Sequence, residues 1–291
     1  MNQQKSYHTA EADKGHLYLV PTPIGNLEDM TFRAVRILQE ADVILAEDTR
    51  QTRKLCTHFE ISGPLDSYHE HNKEQKEEKV LGYLKEGKTV ALVSDAGTPL
   101  VSDPGQELVS SCVRAGFSVI PLPGANAAVT ALIASGLAGG PFYFYGFLPR
   151  KNKEKAEILD KLSYVAGPVI FYESPYRIGK TVEDIEKQWG DREAALAREL
   201  TKRHEEIFRG TLSTIREALE KEPVKGECCL IVQMTGKAPV EEQAWWQDLG
   251  PAEHVKSYIE EGMSSKEAIK QAAKDREVPK REVYSAFHEL D

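Results

Sequence analysis

The stretch 90–105, VALVSDAGTPLVSDPG, decides the fold. An apolar, β-branched run breaks abruptly into small residues, two prolines and two aspartates, as a buried strand does when it turns sharply at its C-terminal end. Three other runs share the first half of that pattern: HLYLVP (16–21), DVILAE (42–47) and SVIPLP (118–123). Helical patterns lie between them. TFRAVRILQEA (31–41) puts Ala34, Val35, Leu38 and Ala41 on one side, and NKEQKEEKVLGYLKEG (72–87) ends at Gly87, a C-cap residue. Strand and helix in alternation predict an α/β fold with a parallel sheet covered by helices.

A second unit starts near PFYFYGFLPR (141–150). It continues through GPVIFYESPYR, a helix at GKTVEDIEKQWG, then REAALAREL, EEIFRGTL and GECCLIVQM. Fewer helices separate these strands, so the second sheet is expected to be mixed. The segment TGKAPVEEQAWWQDLGP then reads as a linker. Beyond it, PAEHVKSYIEEG groups Val255, Tyr258 and Ile259, and SSKEAIKQAAKDRE opens with a capping-box spacing, Ser264 to Glu267, and buries Ala268, Ile269, Ala272 and Ala273. PKREVYSAFHEL carries Pro279 in its first turn and Val283, Tyr284, Phe287 and Leu290 on one face. The predicted organisation is a flexible tail (1–14), two α/β domains (15–124 and 125–237), a linker (238–250) and a helix-turn-helix-like unit (251–291).

Charge and composition narrow the function. With 41% hydrophobic and 29% charged residues the chain reads as a globular protein. No apolar run approaches the ~20 residues of a membrane helix, and the opening MNQQKSYHTAEADKG lacks the apolar core of a signal peptide, so the expected location is cytoplasmic. The net charge of −9 argues against a positively coated nucleic-acid binder but leaves room for local basic patches. Cys56, Cys112, Cys228 and Cys229 form no C-x-x-C pair, and the adjacent Cys228 and Cys229 should face opposite sides of a strand, as structural thiols.

The turns do not suit a phosphate. A phosphate cradle needs backbone N–H groups, whereas VPTPIGN (20–26) places Pro21 and Pro23 after the first strand, and Asp95 and Asp103 would repel a pyrophosphate. Neither G-x-G-x-x-G nor G-x-x-x-x-G-K-[ST] follows a strand. Two readings stand: ordinary tight turns, or a pocket for a cationic, phosphate-free nucleoside cofactor such as S-adenosylmethionine, approached closely by backbone at Ala96, Gly97 and Ala127.

Six ordered motifs add a resemblance: HLYLVPTPIGNLEDMTFRAVRILQEADVILAEDTRQTRKL, SYHEHN, VALVSDAGTPLVSDPG, PLPGANAAVTAL, FYESPYRI and ARELTKRHEEIFRGTL. Together, over residues 15–237 and on into the helical tail, they resemble the bacterial 16S ribosomal RNA methyltransferases that modify the ribose 2′-hydroxyl of a cytidine, in the tetrapyrrole-methylase superfamily. The resemblance implies two α/β domains with S-adenosylmethionine in the cleft between them, a homodimer, and the decoding region of the small ribosomal subunit as substrate. Carried over, it places the cofactor against Pro23, against Asp95, Ala96, Gly97, Thr98 and Val101, against Asn126 and Ala127, against Tyr172 and Glu173, and against Leu200 and Thr201. Thr98 stands where tetrapyrrole enzymes carry Asp, which argues against a porphyrinoid acceptor.

Methyl transfer to a hydroxyl needs no metal, and a nearby base would help it. His69, in the cluster His69, Glu70 and His71, and Lys202, beside Arg198, Glu199 and Glu205, are the candidate catalytic residues. Glu47, Asp48 and Arg50 stand at a strand C-terminus, where α/β ligand sites lie. Candidate RNA contacts are Arg50 and Arg177, then Arg150, Lys151 and Lys153 (with Lys155) in LPRKNKEK, and Lys270, Lys274, Lys280 and Arg281 (with Lys266 and Arg276) in the tail. Competing readings are a tetrapyrrole-type small-molecule methyltransferase and a ligand-sensing regulator with a helix-turn-helix.

Overall fold

The computed structural model describes residue 4 and residues 14–69, 72–236, 246, 249–276 and 278–288, with backbone alone at 73–75. Glu70, His71, Leu290 and nearly all of the predicted tail and linker lie outside the described residues. The chain divides into two compact units, Met1–Gly236 and Lys237–Asp291.

The larger unit holds two five-stranded sheets. The first is built in the order β1 (His16–Leu19), α1 (Phe32–Glu40), β2 (Val43–Ala46), α2 (Thr49–His58), β3 (Leu65–Ser67), α3 (Lys73–Lys85), β4 (Thr89–Val93), α4 (Gln106–Arg114) and β5 (Ser118–Pro121). Its strand order is β3-β2-β4-β1-β5 and every pairing is parallel. Parallel strands need helical crossovers, and these cover both faces. Ile44, Ala46, Ala91 and Val93 pack against α1 on one face; Leu45, Val90 and Leu92 pack with Val80, Leu84, Leu108 and Cys112 of α3 and α4 on the other.

The second sheet comprises β6 (Tyr143–Phe147), β7 (Ala166–Glu173), β8 (Glu193–Arg198), β9 (Glu206–Thr211) and β10 (Cys228–Thr235), with α5 (Ala127–Ser135), α6 (Asn152–Leu162), α7 (Ile178–Trp189) and α8 (Leu212–Lys221). Its order is β6-β7-β10-β8-β9; only β6 and β7 run parallel, so the sheet is mixed as expected. Cys228 packs on the α7/α8 face and Cys229 on the α5 face, the opposite orientations that adjacent strand residues must take. The smaller unit is a three-helix cluster, α9 (Pro251–Glu260), α10 (Ser265–Asp275) and α11 (Lys280–His288), around Val255, Ala268, Ile269, Ala272, Ala273 and Val283.

Three details depart from the sequence reading. In α1 the buried residues are Ala34, Ile37 and Leu38, while Val35 is only half-buried, because i, i+3, i+4 spacing from Ala34 selects Ile37 and Leu38 and turns Val35 to the side. Tyr284 is 52% exposed rather than in the tail core. The edge strand β3 carries no alternating pattern and goes unseen in the sequence. Two signals hold: Gly87 follows α3 in the left-handed region at φ 78°, and the Ser264–Glu267 capping box forms.

Leu196 is fully buried in β8, which is paired on both sides. Leu196→Ala should cost about 2–5 kcal/mol, read as a lower urea midpoint for the transition of the larger unit.

Candidate methyl-donor cleft

Where strands of a parallel sheet end, their loops splay and leave a crevice. Here the loops after β1, β2 and β4 meet the α5 N-terminus and the ends of β7, β8 and β10 around a cavity of about 490 Å³. Asp95, Ala96, Gly97, Thr98 and Val101 line it from the quoted stretch, Asn126 and Ala127 from α5, and Tyr172, Glu173 and Leu200 from the second sheet. Pro23 instead lines a neighbouring cavity, and Thr201 lines neither.

Several of these side chains hold the walls. Thr98 Oγ1 donates to the Ala125 carbonyl at 2.9 Å, joining the β4 loop to the approach of α5. Asn126 caps α5 by accepting from the Val129 N–H, and the Ala128 N–H donates to the Tyr172 hydroxyl at 3.0 Å. Burial raises the Tyr172 phenol, which stays protonated. Glu173 is 3% exposed; it accepts from Thr181 Oγ1 at 2.8 Å and from the Ser174 N–H at 2.9 Å. Four of the five non-glycine residues at positive φ among those described flank the cavity, Leu100, Ser102, Glu199 and Thr201, at a cost of order 1–3 kcal/mol each.

The electrostatics are acidic. Glu47, Asp95 and Asp103 line the cavity together. Burial, then the charges of Glu47 and Asp95, push Asp103 up to about 6, against a hydrogen bond from the Ser94 hydroxyl. Burial and Asp95 likewise raise Glu47, opposed by His69. Asp95 is fixed by accepting from the Asp48 N–H at 3.0 Å. A phosphate would be repelled here, whereas a sulfonium is attracted. Ile24, Val101, Leu200 and the rings of Phe147 and Tyr172 supply apolar walls for an adenosine, and Gly97, at φ 82°, lets backbone approach where a Cβ would press on Ile24. These residues fit S-adenosylmethionine. Burial pushes Cys228, also in the wall, up to about 11, and it raises Cys229, so neither is a ready nucleophile. Among the described residues no three His, Cys, Asp or Glu side chains form a metal-holding group.

Sequence reasoning weighed Glu47 only as part of a strand-end group and treated Asp103 as a phosphate-excluding charge. Their place at the end of β2 and in the β4–α4 loop was the available signal. His69 lies near Glu47, and its N–H donates to Asn72 Oδ1 at 2.9 Å. Lys202 is corrected: burial alone would lower it, but the Glu199 hydrogen bond at 2.9 Å and Glu227 at 3.3 Å outweigh that and raise it. It stays an ammonium ion and is a poor proton acceptor.

The cations sort into two kinds. Arg150, Lys151 and Lys153 are exposed, as are Lys266, Lys270, Lys274, Lys280 and Arg281 in the smaller unit. Arg50 is exposed but grips Asp48 bidentately at 3.0 and 2.7 Å. Three others are structural, contrary to expectation. Lys155 is 5% exposed and paired with Asp184 at 2.7 Å. Arg177 donates to the Leu148 carbonyl at 3.0 Å and pairs with Glu173. Arg276 donates to the Trp246 carbonyl at 3.1 Å and to Nδ1 of the buried His254.

A family model described as tetrapyrrole (corrin/porphyrin) methylases matches residues 16–216. A ribosomal RNA small subunit methyltransferase I of Bacillus subtilis (strain 168) is 54% identical over 289 residues, 99% of each chain. Its namesake from Halalkalibacterium halodurans is 53% identical over 289 residues, covering 99% of this chain and all of that one. A solved uroporphyrin-III C-methyl transferase from Thermus thermophilus, complexed with S-adenyl homocysteine, superposes with a TM-score of 0.54 at 22% identity, over 75% of this chain and 97% of its own, which shows the shared fold. The chain therefore belongs to the tetrapyrrole methylase family and, within it, to the ribosomal RNA small subunit methyltransferase I group, with S-adenosylmethionine as its methyl donor.

Proposed function

We propose that this ribosomal RNA methyltransferase transfers the donor's methyl to the ribose 2′-hydroxyl of a cytidine in 16S ribosomal RNA, in the decoding region of the small subunit. The observation that carries the reading is a full-length match to small-subunit enzymes that runs past residue 216, through the exposed cations of α10 and α11. The ribose 2′-hydroxyl, the cytidine and the decoding region are what the motif resemblance implies.

When bound, S-adenosylmethionine supplies an electrophilic methyl on a cationic sulfur. The protein's part is alignment and proton removal. Holding the acceptor oxygen in line with the methyl is worth ~10⁵ M or more in effective molarity. A hydroxyl oxygen must also shed its proton as the new C–O bond forms and the C–S bond breaks. Asp103 is the group in the cleft suited to take it: a carboxylate near pKa 6 is ionised at neutral pH yet basic enough to accept, and Glu47 helps keep it so. His69, close enough to Glu47 to act on its charge, stays a candidate for assisting the acceptor hydroxyl.

Docking falls to the exposed cations Arg150, Lys151 and Lys153, and to Lys270, Lys274, Lys280 and Arg281. Val129 and Ile133 stand one turn apart on α5, 46% and 71% exposed, with Phe142 and Tyr143 also exposed. Such apolar surface suits a second copy of the chain, a homodimer. Among the described residues no helix is long and apolar enough to cross a membrane. The substrate's place in the cell puts the enzyme in the cytoplasm.

The direct experiment incubates the protein with methyl-labelled S-adenosylmethionine and small subunits from cells lacking the enzyme, then digests the RNA. Label should appear in 2′-O-methylcytidine; label on a base, or none in RNA with the donor still bound, would overturn the reading. For Asp103, kcat/KM of the wild type should rise with pH through about 6 and level off. Asp103→Asn should lose that limb and fall ~10²–10⁴-fold in kcat. The same carboxylate sets a stability trend. Its folded value lies above the ordinary 3.8, so the folded state holds the extra proton between the two, and stability falls as pH rises through about 6. Asp103→Asn should therefore melt above the wild type at pH 7.5, with the gap closing below pH 4.

A further inference from the structure

The methyl-donor cleft does not account for a second cavity of about 410 Å³, within the usual range for small-ligand sites. One wall is the loop after β1, with Pro23, Gly25 and Leu27; the other is α2, with Gln51, Lys54 and His58. Asp95 lines both this cavity and the donor cleft, so the two share a wall at that carboxylate.

The charge of α2 runs against that of the chain. It carries Arg50, Arg53 and Lys54 and no acidic residue, in a protein of net charge −9. Arg50 is occupied by Asp48. Arg53 and Lys54 are exposed and form no ion pair among the described residues, and Lys54 Nζ donates instead to Gln51 Oε1 at 3.2 Å. The walls thus combine a cationic rim with an amide and an imidazole that can donate and accept, and with the aliphatic surfaces of Leu27 and Leu55. An acidic peptide would use the cations and leave the apolar faces of Leu27 and Leu55 without a partner. A porphyrinoid would meet too many uncompensated polar groups.

We propose that this cavity is the acceptor pocket and takes one unpaired nucleotide of the substrate RNA. The base enters between Leu27 and Leu55, with its polar edge on Gln51 and His58. A flanking phosphate lies on Lys54 and Arg53, and the ribose meets the wall at Asp95, facing the cleft that holds Asp103. Single-stranded RNA is read in this way, by splayed bases against apolar faces and backbone phosphates on cations. The assignment rests on the RNA methyltransferase reading and adds to it the site that presents the acceptor.

The test uses the full-length protein and three variants, Gln51→Ala, Lys54→Met and, as a charge control on α8, Lys221→Met. Donor binding is followed by calorimetry, and methyl transfer to unmethylated small subunits by steady-state kinetics. A short single-stranded oligocytidylate is titrated by fluorescence anisotropy against protein saturated with S-adenosylhomocysteine. Gln51→Ala and Lys54→Met should each raise KM for subunits about tenfold, with kcat and donor affinity within twofold of wild type. Oligocytidylate binding should weaken in parallel, and Lys54→Met should lower the salt slope by about one phosphate contact. Lys221→Met should change none of these. Unchanged KM and RNA affinity in both cavity variants overturns the assignment, as does a loss of donor affinity, which would give the cavity to the cofactor. Wild-type protein that binds the oligonucleotide through Gln51 and Lys54 but labels no 2′-hydroxyl sinks the methyl-transfer reading and keeps the pocket. Wild type that fails to bind it overturns the pocket.

Discussion

One pair of backbone hydrogen bonds sets the geometry on which the site depends. Thr22 and Gly97 exchange N–H···O bonds, both at 2.9 Å, in an isolated antiparallel bridge between the loops that follow β1 and β4. Those strands run parallel, so their loops would otherwise leave the sheet side by side and unlinked. The buried Thr22 hydroxyl adds a third tie, donating to the Ser94 carbonyl at 3.1 Å. Thr22 lines the second cavity and Gly97 the donor cleft. The bridge is therefore part of the partition between two cavities, and it holds Asp95 two residues from its own anchor. Gly97 is required because its φ of 82° is one that a side chain rarely adopts.

On the proposed reading the partition resolves an electrostatic conflict. A cationic methyl donor calls for carboxylates, and an RNA acceptor is repelled by them. On that reading the fold separates the demands by a few residues: Glu47 and Asp103 line the donor cleft, Lys54 lines the second cavity with Arg53 beside it on α2, and Asp95 lies in the wall the two share. The overall negative charge then costs little, since screening limits distant charges to about 10 Å and RNA responds to the cations nearest its phosphates.

What the sequence disclosed follows from the range of the interactions involved. β1, β2, β4 and β5 were legible because strands buried on both faces must be almost wholly apolar. β3 was not: three residues, LDS, half-buried at a sheet edge, carry no period. Most of the cleft wall was legible from motifs, whose residues sit close together in the chain. The cations were not. Lys155 looks like Lys151 and Lys153 until Asp184, far along the chain in α7, is seen to hold it in the interior. Arg177 looks like a phosphate ligand until its guanidinium is found serving the Leu148 carbonyl and Glu173. Lys202 looks like a base until two carboxylates close on it. In each case the deciding partner comes from another part of the fold or, for Lys202, from a turn whose strained backbone no propensity predicts.

The same logic suits a carboxylate such as Asp103, more than a histidine, to the proton chemistry proposed for the cleft. A histidine facing a sulfonium would be pressed toward its neutral form but would still compete as a cation for the carboxylates that hold the donor. A carboxylate with a raised pKa does both jobs in turn. Ionised, it would complement the positive charge that the methyl donor supplies when bound, and on the proposed reading it would then take the hydroxyl proton. The burial that makes the ionised form of Asp103 costly would thus be offset by a cationic donor held beside it. Leu100 and Ser102, just before Asp103 in the loop after β4, both stand at positive φ, and on the proposed reading that strain serves to position the carboxylate.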